Sequence, residues 1–179
     1  MSSPVRNYNL ISRTLHWISA LTVFSLFGVG LWMVDLSYYS EWYKTAPQWH
    51  KSIGLILAAA TIFRLVWKAL SAEPRVEGSR FEMKAATMAH HTLYLLLFGL
   101  FVSGYLISTS DGRGIEVFGW FTVPAMGELF ANQSDVAGEI HYYCGWAVIA
   151  LSALHALAAL KHHFINKDNT LKKMLGAVK

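Results

Sequence analysis

With 179 residues, 54% of them hydrophobic and only 15% charged, the chain is long enough for one domain, yet it is poorer in charge than soluble domains, which average about 25%. A net charge of +4 and a pI near 9.2 would in a soluble protein raise nucleic acid as a partner, but the basic residues lie almost wholly in loops and tails flanking apolar segments, which argues for membrane orientation and no nucleic acid. The single Cys144 excludes an internal disulfide and a cysteine-pair metal site, and no Cys-x-x-Cys-His stretch is present to attach a haem covalently.

A membrane-crossing helix needs about 20 mostly apolar residues. Four segments qualify, at about 15–34, 50–70, 89–108 and 138–162, the last with an uncharged centre at 141–160. The first is longer than the roughly 7–15 apolar residues of a secretion signal. It also carries a histidine, so it is expected to remain in the mature chain. The second holds Arg64 and Lys68 only towards its end. These runs are apolar all round, which predicts an all-α membrane protein: one domain over residues 1–179, built as a four-transmembrane-helix bundle.

Basic residues orient the bundle. Arg6, Arg13, Arg64, Lys68, Arg75, Arg80, Lys84, Lys161, Lys167, Lys172, Lys173 and Lys179 fall on one side, against Lys44, Lys51 and Arg113 on the other. Both termini are therefore expected in the cytoplasm. The longest connection, 109–140, is an outer one. Its apolar run from Phe118 to Met126, broken by Pro124, reads as an interfacial lid, with Trp120 and Phe121 at headgroup depth. Ser134 or Asp135 is the expected N-cap of the fourth helix, with Glu139 in its first turn.

All eight histidines, His16, His50, His90, His91, His141, His155, His162 and His163, lie in or at the ends of the spans. An ionisable group in lipid is costly and needs a partner, and haem iron suits neutral imidazole. His141 and His155 are 14 residues apart, nearly four whole turns, so they share a face about 21 Å apart along the axis. Two stacked haems fit that spacing. Gly145, Ser152 and Ala159 on the same face leave room for a flat macrocycle, although small residues also serve close helix packing.

Near the outer surface the partner of His141 is His50, with Gly54 one turn on leaving space. Near the inner surface His16, His90 and His91 all lie at plausible depth for pairing with His155, and His16 is favoured. Arg64, 14 residues beyond His50, shares its face at the inner level, either pairing with a haem propionate or snorkelling to the interface. His162 and His163 are expected in solvent, on a propionate or on a headgroup.

The stretches Arg13-Thr14-Leu15-His16-Trp17, His50-Lys51-Ser52-Ile53-Gly54, and Leu154-His155 onward through His162-His163-Phe164 to Lys167-Asp168-Asn169-Thr170-Leu171 resemble the bacterial di-haem cytochrome b561 family, over nearly the whole chain. The resemblance implies two haem b groups, ligated by His16 with His155 and by His50 with His141. It also implies residence in the bacterial inner membrane. The best understood members are superoxide:ubiquinone oxidoreductases, so the resemblance implies an enzyme carrying electrons from superoxide at the periplasmic face to ubiquinone. Lys51 and Arg113 are candidates for steering the anion, and Arg13, His90, His91 and Lys161 mark a possible inner quinone site. The alternative is an electron-transfer subunit linking a partner dehydrogenase or hydrogenase to the quinone pool. A haem-free histidine transporter is the third reading, weakened by the lack of carboxylates in the apolar centres of the spans.

Overall fold

The computed structural model describes residues 7–178, so Arg6 and Lys179 of the charge count lie outside the described residues. Four long helices dominate it: α1 (Leu10–Val34), α2 (Thr45–Leu70), α3 (Arg80–Thr109) and α4 (Gln133–Lys161). All are long and apolar enough to cross a membrane. Large apolar side chains such as Leu21, Leu95 and Leu154 point outward and are exposed, as lipid-facing residues should be.

Each helix outruns its apolar stretch, for local reasons. Asn9 caps α1 through a side-chain bond from the Ser12 amide, which starts the helix ahead of its apolar run. The capping box of Ser79 and Glu82 starts α3 at Arg80, well before the run at 89. α4 is not capped by Ser134 or Asp135. Asn132, in a left-handed conformation at φ 57°, precedes it, and Asp135 sits in its first turn. The cause is Gln133, which is fully buried: its amide nitrogen donates to Leu106 and Gly127 carbonyls, and its oxygen accepts from the Leu129 amide. Glu139 is thereby left beyond the first turn.

α3 packs most closely on α4, and α1 on α2; the contacts joining one pair to the other are sparser. The bundle is thus two helix pairs facing across a cleft. Leu57 of α2 and Val148 of α4 are buried at mid-height, each seven residues from the histidines or arginine of its own helix.

The outer lid is a small hairpin, an addition to the all-α expectation. β1 (Ile115–Val117) pairs antiparallel with β2 (Phe121–Val123). Ile115 and Val117 are buried, and the Ser52 hydroxyl donates to the Glu116 carbonyl at 3.2 Å, fastening β1 to α2. The Tyr105 hydroxyl donates to the Pro124 carbonyl and fixes the following turn. Trp120 and Phe121 are exposed, as interfacial anchors would be.

At the inner end α4 runs into a π-helical turn (His162–Asn166), and a short helix, α5 (Thr170–Leu175), folds back across the bundle. Lys173 bonds the Glu77 carboxylate at 2.5 Å and the Arg75 carbonyl at 2.7 Å. The Asn169 amide donates to the same carboxylate. Arg13 donates to the Leu175 carbonyl, and Asn7 bonds Val178 in both directions.

Bonding from Lys173 and from the Asn169 amide holds the Glu77 carboxyl below its ordinary value of 4.5. A depressed carboxylate stabilises the clasp above that ordinary value, and the contribution fades as pH falls through the lowered one. Protection factors of the amides over 169–175, exchange corrected for its intrinsic pH dependence, should therefore be high at pH 7 and fall only well into acid. Lys173→Ala should lower them at pH 7 and have little further effect where the carboxyl is protonated; unchanged protection at pH 7 in that variant would refute the clasp.

Candidate functional site

The histidines of the four long helices assemble into two levels. At the outer level the rings of His50 and His141 face each other with centres 6.1 Å apart. At the inner level those of His16 and His155 are 6.3 Å apart. With metal–nitrogen bonds of about 2.0–2.1 Å and a ring centre roughly 1.1 Å behind each nitrogen, two imidazoles on opposite sides of one iron have centres about 6.2–6.4 Å apart. Both pairs fit that distance. His90, the rival at the inner level, lies 5.1 Å from His155, too close for an iron between them. It packs edgewise against the His155 ring instead.

The outer level opens into a cavity of about 620 Å³ lined by both His50 and His141, with Gly30, Gly54, Gly104 and Gly145 in its walls. A Cβ on Gly54 would meet nothing within 4 Å. One on Gly145 would only touch Phe27, at 3.7 Å. Gly30 and Gly104 were not singled out from sequence, yet a Cβ there would come to 3.4 Å of the His50 ring and 3.2 Å of the His141 ring. The signal for them was present. Each follows a histidine of its own helix, His16 or His90, by 14 residues, the interval that separates His141 from His155 and His50 from Arg64. The outer level is thus two imidazoles backed by two glycines. This fits a flat, largely apolar macrocycle with axial imidazoles.

The inner level is furnished differently. His16 and His155 are joined by His90 and by Arg64, whose Nη2 lies 3.0 Å from His16 Nδ1. Arg64 also lies over the Tyr94 ring, 5.7 Å from its centre. Its guanidinium meets these two rings, where the sequence left propionate pairing and snorkelling equally open. At the outer level His141 Nδ1 is 3.1 Å from the Leu100 carbonyl and 3.1 Å from the Ser103 hydroxyl, whose own proton goes to the Gly99 carbonyl at 2.6 Å. His141 Nδ1 is therefore a donor to Leu100, which fixes the ring and leaves Nε2 free to act as a ligand.

The remaining candidates divide. Lys51 lines the outer cavity, as does Asp111. Arg113 does not stand free: its Nε donates to Asp111 at 2.7 Å, so a carboxylate offsets its charge. Arg13 is taken up by the tail, and Lys161 by Glu82 at 2.6 Å. His162 bonds the Asp168 carboxylate and is not free in solvent. Cys144 packs beside Gly99 as an ordinary helix residue.

The cavity generates a direct test. Gly54→Leu would put side-chain atoms into it, starting from a Cβ that meets no neighbour within 4 Å. In detergent-purified protein the haem bound per chain should fall by about half relative to the unsubstituted chain, with helix content by circular dichroism unchanged; full loading would show that the cavity is not the haem's.

A family model described as prokaryotic cytochrome b561 matches residues 7–177. The chain is 50% identical over 177 residues to "Cytochrome b561 homolog 2" of Escherichia coli (strain K12), covering 98% of this chain and 94% of that protein. It is 29% identical to "Cytochrome b561 homolog 1" of the same organism, covering 93% and 97%. It is 25% identical to the "Probable superoxide oxidase CybB" of Yersinia pestis, covering 95% and 96%. Matched over nearly its whole length, with four apolar helices and imidazoles paired across them, the chain belongs to the prokaryotic cytochrome b561 family of membrane electron-transfer proteins, whose cofactor is b-type haem.

Proposed function

We propose that this chain holds two b-type haems, one between His50 and His141 and one between His16 and His155, and carries electrons from superoxide at the periplasmic face to ubiquinone. The observation that supports the ligand assignment best is the pair of ring separations, 6.1 and 6.3 Å, both right for one iron between two imidazoles. When bound, the haems would supply one-electron carriers held by two imidazoles each, suited to electron transfer rather than oxygen activation. Helices α1, α2 and α4 bring the ligands. The rigid interval along α4 sets the levels, and the glycines at 30, 54, 104 and 145 keep the outer space flat and clear. Gly54, Gly145 and Arg64 complete the cofactor-binding set.

Lys51, at the rim of the outer cavity and in no ion pair among the described residues, is the stronger attractor for a small anion. Arg113 is the weaker one, because Asp111 offsets it. Two superoxide ions give one electron each and leave as dioxygen; ubiquinone takes both electrons with two protons and leaves as quinol. The quinone is reduced at the inner end, near His90 and His91. The basic residues around 64–84 and 161–173 retain that end in the cytoplasm of a bacterial inner membrane, with both ends of the chain there. The identification of a relative as a probable superoxide oxidase supports this donor.

Superoxide delivered by pulse radiolysis to the purified, oxidised, quinone-free protein should reduce the b-type pigment within the pulse-decay time, and Lys51→Ala should slow that reduction several-fold at low salt. A pigment that dithionite reduces but superoxide does not would overturn the donor. Reduction only through a co-purifying protein would instead identify an electron-transfer subunit.

A further inference from the structure

The two levels share their ligand type and spacing but not their surroundings, and the difference is electrostatic. Position for position along the 14-residue interval, the outer level reads Gly30, His50, Gly104, His141, and the inner level His16, Arg64, His90, His155. At the inner level histidines stand in place of both outer glycines, and an arginine stands in place of His50.

Resting on the haem assignment above, we propose that Arg64 is a positioning residue that sets the reduction potential of the inner haem above that of the outer one, and so drives electrons from the outer level to the inner. A cation in the span of a membrane helix is costly and is retained where it has a use. Among the described residues Arg64 has no carboxylate partner; its neighbours are the His16 ring at 3.0 Å and the Tyr94 ring at 5.7 Å. Its charge is therefore left to act on whatever gains an electron beside it. Adding an electron next to an unneutralised cation in a medium of low dielectric is favourable, which raises the potential.

A guanidinium can only donate, so His16 Nδ1 is the acceptor in that contact and the ring proton is on Nε2. Ligation of iron by Nε2 would move the proton to Nδ1 and turn the Arg64 guanidinium aside. Whether it then rests beside the imidazole or on a propionate, the positive charge stays at the inner level and the sign of its effect is unchanged.

The outer level is biased the opposite way. His141 Nδ1 donates to the Leu100 carbonyl at 3.1 Å, a bond that raises the basicity of the ligating nitrogen and favours ferric iron. Lys51 also lines the outer cavity, but so does the Asp111 carboxylate, whose opposite charge weakens its field. A single electron then passes from the lower-potential level to the higher one, with no bond made and no proton moved.

The test is a spectroelectrochemical titration of the haem-loaded protein in detergent. The unsubstituted chain should titrate in two one-electron waves, and His155→Ala should lose the higher one. Arg64→Gln and Arg64→Met, which remove the charge, should lower that higher midpoint by the equivalent of about tenfold in equilibrium constant, roughly 59 mV, with the other wave unmoved. Arg64→Lys should hold it near the original value. The inference fails if either neutral variant carries two haems with both midpoints in place, or if the wave that moves is the one lost in His141→Ala. Should neither neutral variant load the inner haem, Arg64→Lys decides: a retained midpoint upholds the role of charge, and a fallen one overturns it. Superoxide reactivity does not enter this measurement, so the electron donor proposed above can fail independently.

Discussion

An imidazole inside a bilayer must have a partner, and on a straight helix two imidazoles can look the same way only at near-integral numbers of turns. The 14-residue interval of α4 meets that condition, and most of the bundle follows from it. His141 and His155 define two levels, α1 and α2 each bring one facing histidine, and the remaining positions at those levels are filled by glycine, histidine or arginine. The helices do not close on one another as a soluble bundle would. They form two tight pairs with sparser contact between them, and the space left between the pairs at the outer end is the cavity that His50 and His141 share. Fully buried aliphatic residues are few among those described, as befits membrane-length helices that turn much of their apolar surface outward.

The two ends of the bundle are finished by different means. At the outer end a hairpin pinned by Ser52 and Tyr105 covers the cavity mouth, and Gln133 binds the chain between the hairpin and α4. At the inner end the closure is made by the tail. Lys173 reaches the loop between α2 and α3 while Arg13 of α1 holds Leu175, so α5 ties the two helix pairs together at the end where they would otherwise splay. His162 and Asp168 fold the turn that lets α4 reverse into α5.

The spans were legible because lipid imposes one strong rule, a long run without charge, and the candidate ligands because they are the polar exceptions to it. Helix ends were not legible from hydropathy. α3 begins nine residues before its apolar run because Ser79 and Glu82 cap it, a local pattern that hydropathy does not weigh. The hairpin strands, three residues each, are too short to show an alternation. Gly30 and Gly104 gave no signal singly and become visible only as partners of His16 and His90 across the common interval. His16 and His90 both lie at plausible depth in the sequence, and only their distances from His155 tell them apart as candidates. The contact of Lys173 with Glu77, and that of Arg113 with Asp111, depends on how loops fold rather than on any periodicity.

Leu57 and Val148, buried at mid-height between the two levels, have an electrical consequence. The one fully buried hydroxyl close to them among the described residues, that of Thr61, is spent on the Leu57 carbonyl of its own helix. An aliphatic layer offers an ion no hydrogen-bonding partner, and desolvating a charge there is costly. Negative charge can tunnel across such a septum while its counter-ions stay behind. Each turnover would then leave one side of the membrane more negative than the other, and the bundle would behave as a small current source.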